Sequence, residues 1–180
     1  MMWARIDAGV CAEFVTDDPT GLYHPSILWV RVPDALSAWA THDYVCVDGA
    51  VQPPTLDYLL AQLRAAVVAR RKTERDRGVL IGGQRWRSDK ASYDDVASNL
   101  TLASQVELAG GGFETVWKTA DGFARVGKAA LATALLAIGV FVQSCFAREE
   151  ELSAAIDAAE TVDDALTAYA AGIDLGWPGG

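Results

Sequence analysis

Val79-Leu80-Ile81-Gly82-Gly83-Gln84-Arg85-Trp86-Arg87 and Phe113-Glu114-Thr115-Val116-Trp117-Lys118-Thr119 bracket a run whose apolar positions Val96, Leu100 and Ala103 share one helical face. The first bracket predicts a hairpin turning at Gly82-Gly83. The second alternates with the period of a strand, and Asp121-Gly122 returns it through Phe123-Ala124-Arg125-Val126. Ser88 or Asp89 can cap the intervening helix, which Gly110-Gly111-Gly112 ends. Two small hairpins, each carrying a tryptophan, are therefore expected around a helix, and helices follow: one from about Lys128 to Ala159, one from Val162 to Ala171 capped by Thr161.

Upstream the pattern is different. Trp3–Ile6 and Val10–Val15 flank an Asp-Ala-Gly turn, Ile27–Val32 is rich in branched and aromatic residues, and Tyr44–Val47 pairs in pattern with Ala50-Val51 across Asp48-Gly49. These short runs predict a small antiparallel sheet. Thr55 then opens a helix with Leu56, Leu59, Leu60, Leu63 and Val67 along one stripe, stopping at Gly78. Such a helix is about 35 Å long, and its second half, Arg70–Arg77, is almost entirely polar. A half-polar helix gains little by docking on its own domain, so it is expected either to protrude as a linker or to pair with copies of itself along the stripe. The fold class is α+β: a β-rich domain over residues 1–54, a linking amphipathic helix over 55–77, and a C-terminal domain of hairpins packed with helices over 78–180.

The chain has 180 residues, 51% of them apolar, and a formal charge of −9. That is ample for a buried core, and the charge disfavours nucleic acid, whose binding depends on clustered Lys and Arg. Nine of the fifteen basic residues lie between Arg64 and Lys90, but Glu74, Asp76 and Asp89 are interspersed as on a salt-bridged helix surface. Three scattered cysteines, Cys11, Cys46 and Cys145, read as buried thiols in a reducing compartment. Met1–Asp7 lacks the apolar core of a secretory signal. Ala129–Ala147 carries no charge and is long enough to cross a bilayer, yet its alanine content and its continuation into Arg148-Glu149-Glu150-Glu151 favour a helix buried by other helices or by a neighbouring subunit. No membrane partner is expected.

No catalytic constellation is legible. The two histidines, His24 and His42, sit in turn-like sequence, and the chain has no His-Glu-x-x-His, nucleophile elbow or Cys-x-x-Cys pair. Gly82-Gly83 lacks the rest of a phosphate loop. The carboxylate pairs at Asp17-Asp18, Asp94-Asp95, Glu149–Glu151 and Asp163-Asp164 are adjacent in sequence, and adjacency does not set the separation a glycosidase needs. We assign no catalytic residue, no metal ligand and no cofactor. Trp86, Trp117 and Phe123 are expected to anchor the C-terminal fold or an interface.

The segment Gly83-Gln84-Arg85-Trp86-Arg87-Ser88-Asp89 with Ser92, together with Val116-Trp117-Lys118-Thr119-Ala120-Asp121-Gly122, resembles a C-terminal domain of unknown function found in tailed-bacteriophage proteins. Those proteins are commonly encoded beside tail fibre genes and described as tail fibre or tail fibre assembly proteins. The resemblance covers about residues 78–172. Asp18-Pro19, Tyr23-His24-Pro25, Trp29-Val30 and the Asp48-Gly49 to Pro53-Pro54 stretch are similar to N-terminal modules of the same proteins. Gln84 stands where a histidine is often seen, and the segment after Val126 lacks the usual acidic residue before its leucine.

The resemblance implies a non-enzymatic tail protein acting in fibre assembly or attachment, located in the virion tail or in the host cytoplasm during assembly. Its implied partners are copies of itself and tail fibre, tail tip or baseplate proteins. Two alternatives accompany that reading: a permanent structural component of the tail tip or fibre base, and a tail-associated cell-wall or polysaccharide hydrolase using Asp17, Asp18 or His24.

Overall fold

The computed structural model describes residues 1–179. Among them the elements run β1 (Met2–Asp7), β2 (Val10–Val15), β3 (Leu28–Val32), β4 (Val45–Val47), β5 (Ala50–Gln52), α1 (Leu56–Asp76), β6 (Val79–Ile81), β7 (Gln84–Trp86), α2 (Lys90–Leu108), β8 (Glu114–Thr119), β9 (Gly122–Gly127), α3 (Lys128–Asp157) and α4 (Val162–Gly172). Antiparallel sheets accompanied by helices make this an α+β chain. It divides into two compact units, Met1–Ala65 with Ala155–Ala170, and Ala66–Ala154 with Ala171–Gly180.

In the first unit, β1 to β5 form one antiparallel sheet in the order β3-β1-β2-β4-β5. Ala8 and Gly9 both adopt positive φ where β1 turns into β2, and Asp48 and Gly49 do so where β4 turns into β5. These are the conformations that a tight two-residue reversal demands. The interior holds Ala4, Cys11, Val32, Tyr44 and Val51. Burial, and then the neighbouring Tyr58, push the Tyr44 phenol up to about 12. Its hydroxyl donates to Gln62 Oε1 at 3.0 Å, so the buried group is satisfied.

The start of α1 belongs to this unit. Thr55 Oγ1 accepts the Tyr58 N–H at 3.1 Å, the expected cap. The segment before β4 then lies along the helix: Tyr58 donates to Asp43 at 2.8 Å and Gln62 Nε2 donates to the Trp39 carbonyl at 3.1 Å. Thr161 caps α4 through the Asp164 N–H at 3.1 Å, and Trp39 meets Tyr169 of that helix edge-on at 5.0 Å.

The second unit is built on α2, α3 and the two hairpins. Trp86, Val96, Val126, Leu131, Ala134 and Ile138 form its centre, with Val79, Leu100, Phe113 and Trp117 packed around them. Gly78 closes α1 at φ +81°, and a Cβ there would collide with the Trp86 carbonyl oxygen. Only glycine suits that close approach.

Two expectations about α1 are corrected. Leu59 and Leu63 are fully buried, Val67 and Leu60 nearly so, and Leu56 is half-buried, so the stripe faces the chain's own interior and is not an open seam. Nor is α1 a free-standing linker between residues 1–54 and 78–180. Its two halves belong to different units, and the chain returns to the first unit at residues 155–170. A leucine stripe records that a face will be covered, not by what.

α3 is covered by its own chain on one face. It is long and apolar enough to cross a membrane by length and composition, and 28% of its most apolar stretch is buried in the chain. Leu131, Ala134, Ile138, Phe141 and Cys145 face inward, while Leu136 is 70% and Val140 59% exposed. One face is covered by the chain and the opposite one is open. The tail after α4 carries a buried residue: Trp177 is 8% exposed and donates to the Ile173 carbonyl at 2.7 Å. Arg148 secures the same segment through the carbonyls of Gly172 and Leu175, at 3.0 and 3.1 Å.

Candidate functional site

The hairpins of the second unit are joined at one backbone position. Arg85 donates its N–H to the Asp121 carboxylate at 2.7 Å and accepts the Ala120 N–H at 2.9 Å, so the tip of the β8–β9 turn is bonded to the outer edge of β7. One residue on, Trp86 stacks on Trp117 with centroids 5.7 Å apart and planes 21° from parallel. Alternation then decides the rest. Trp117, Thr119, Ala124 and Val126 point inward, and Val116, Lys118, Phe123 and Arg125 point out.

Phe123 is therefore not a fold anchor. It is 74% exposed on the outer face of β9, opposite Lys118 in register. The neighbouring Ala124, not the larger ring, faces the core. Trp86, at 3% exposure, does anchor the unit, and Trp117 is half-buried above it.

The remaining motif residues hold the start of α2. Asp89 accepts the Ser92 N–H at 3.0 Å and the Ser92 hydroxyl at 2.9 Å. Those bonds, the backbone one foremost, keep its carboxyl below the usual range. Ser88, fully buried, donates its hydroxyl to the Arg75 carbonyl near the end of α1. Ser88, Asp89, Ser92 and Asp121 thus each satisfy a backbone group, or the residue that does so, at the joints of the unit.

Beyond the joint the hairpins diverge and leave a cleft of about 590 Å³, walled by Val116–Ala120 on one side and Arg85 and Arg87 on the other, with Ser92 and Asp95 of α2 and Asp76 and Arg77 of α1 completing it. Four cations face two carboxylates there, in a chain of net charge −9. Arg77 is engaged by Glu74 at 2.7 Å, and Arg87 by Asp89 at 3.3 Å. Lys118 is exposed and forms no ion pair among the described residues.

A second concavity is apolar. Tyr93 and Leu100 of α2 and Leu135, Leu136, Gly139 and Val140 of α3 line a shallow groove of about 700 Å³.

Beneath α3 lies a buried ionic network. Arg71 donates to Glu149 at 2.5 Å with its guanidinium 4.6 Å from the centre of the Phe146 ring. Glu74, 2% exposed, holds Arg70 at 2.9 Å and Arg77 at 2.7 Å. Burial, and then the Glu74 charge, push the Cys145 thiol up. Sequence reading took this stretch for a solvated surface.

Asp18 and His24, acid–base candidates of the hydrolase alternative, bond within their own loops. His24 bonds Ser26 at 2.8 Å, and the Asp18 carboxyl is lowered by hydrogen bonds from Thr20 in its own loop. His42 contacts the Cys11 carbonyl at 3.2 Å. Among the described residues no three His, Cys, Asp or Glu side chains stand close enough to hold a metal ion.

A family model described as a domain of unknown function, DUF4376, matches residues 58–171. The chain belongs to this family. The DUF4376 match starts near the beginning of α1, so most of that helix is part of the family's domain and not a connector leading to it. No curated protein and no solved structure matches the chain.

Proposed function

We propose that this protein is a non-enzymatic tail protein of a bacteriophage that works in tail fibre assembly or attachment through protein–protein contacts, and that it associates with copies of itself. The observation that carries this reading is the open apolar face of α3. Leu136 and Val140 stand 70% and 59% exposed on a helix whose other side is core. Contiguous exposed apolar surface of this kind marks an interaction site more often than a solvated face. The motif residues around Trp86 and Trp117 supply the link to phage tail proteins by resemblance. Since α1 is buried, self-association belongs on α3.

Sedimentation velocity tests it. Wild-type protein should sediment as an oligomer, and Leu136→Asp with Val140→Asp should sediment as a monomer with an unchanged far-UV spectrum. A wild-type monomer at all concentrations would remove the self-association, and co-purification with a tail fibre protein would then carry the reading alone. Mass spectrometry of purified particles separates an assembly factor, which leaves, from a permanent tail component, which stays.

A further inference from the structure

We infer that the cleft between the two hairpins binds an extended acidic segment of a partner protein, added as a strand to the free edge of β8. The inference deepens the assembly reading and rests on it.

The edge is available for a geometric reason. β8 and β9 close through the two-residue turn Ala120-Asp121, in the register Thr119↔Gly122 and Trp117↔Ala124. Hydrogen-bonded pairs alternate along an antiparallel ladder, so Thr119, Trp117 and Thr115 bond toward β9 while the amides of Val116 and Lys118 point outward. The Ala120 N–H to Arg85 carbonyl bond follows the same alternation. There β7 uses up the β8 edge, and beyond it the strands part and the edge at Lys118 and Val116 looks into the cleft. Unpaired strand edges are templates for an added strand, and peptide recognition by strand addition uses them in this way.

Charge selects the occupant. Arg85, Arg87 and Lys118 stand along the two walls with Asp76 and Asp95 at the side, and Lys118 forms no ion pair among the described residues. A strand laid on β8 carries alternate side chains on the face to which Lys118 points, and carboxylates there meet Lys118, with Arg87 on the facing wall of the cleft.

The test uses full-length protein and two fluorescein-labelled octapeptides, alternating Glu-Thr and alternating Lys-Thr, followed by anisotropy at low salt. The Glu-Thr peptide should bind and the Lys-Thr peptide should not. Arg87→Glu with Lys118→Glu should weaken binding at least about tenfold. At saturation the Val116 and Lys118 amides should exchange more slowly with solvent. If the charge reversals disturb folding, Arg87→Gln with Lys118→Gln carries the same comparison with a smaller loss.

Equal binding of both peptides, or indifference to the substitutions, overturns the proposal. Tighter binding of an oligothymidylate with the same losses also overturns it, making the cleft a phosphate site. Failure here while wild-type protein still self-associates sinks the cleft and leaves the assembly reading standing.

Discussion

Asp121 accepts the backbone N–H of Arg85 at 2.7 Å, and this bond between turn tip and strand edge holds the two hairpins where Trp86 and Trp117 can stack. The motif residues and the core of the second unit are therefore one arrangement. Its stability should be uneven between the two rings.

Trp86 is 3% exposed and central to the core, so Trp86→Ala should cost about 3–5 kcal/mol, the range for emptying an aromatic core site. Trp117 is half-buried, and Trp117→Ala should cost less, with about 0.5–1.5 kcal/mol of it from the lost stack. Urea denaturation followed by far-UV circular dichroism orders the two. Equal losses would mean that Trp86 is not the keystone.

Asp89 links the joint to pH. Hydrogen bonds to the folded state lower its pKa, so its contribution is fully present above the unfolded value of about 3.9 and fades as pH falls through the lower folded one. Asp89→Ala should cost about 1 kcal/mol at neutral pH. Asp89→Ser should retain most of the cap and remove this acid dependence. Thermal melts between neutral pH and pH 3 compare the three proteins, and an unchanged acid slope in Asp89→Ser would assign the dependence elsewhere.

Glu74 is buried and accepts from two guanidiniums. Glu74→Gln removes that charged acceptor and should destabilise by about 1.5–3 kcal/mol, while Arg70 keeps Asp174 at 3.5 Å and Arg77 is largely exposed. Glu151, which pairs with Arg148 at 2.6 Å but is 70% exposed, is the control: Glu151→Gln should change stability by less than about 1 kcal/mol. Chemical denaturation of both variants decides whether the network is structural.

Local chemistry was legible in the residues themselves. The turn glycines at Gly9, Gly49 and Gly82-Gly83, the caps Thr55, Asp89 and Thr161, and the period-two strands around Trp86 and Trp117 all appear where neighbouring residues placed them. Which of its two expected roles Phe123 takes, fold anchor or interface aromatic, was not legible, because a strand's pattern shows two faces without saying which is inward. The tail tryptophan, Trp177, gave one signal, a large apolar ring in a polar segment, and its partner Ile173 lies in the turn after α4. The β8-edge cleft had no sequence signal as a cavity, because its walls come from four separate stretches of chain.

The amino-acid order alone determined the elements, their ends and the α+β class, because hydrophobic period, capping and turn conformation depend on residues a few positions apart. The tertiary structure decided what covers each apolar face: it buried Leu59 and Leu63, left Leu136 and Val140 open, and returned residues 155–170 to the first unit. Covering a face requires groups distant in sequence to meet, and that pairing is a property of the whole packed chain, absent from any local window.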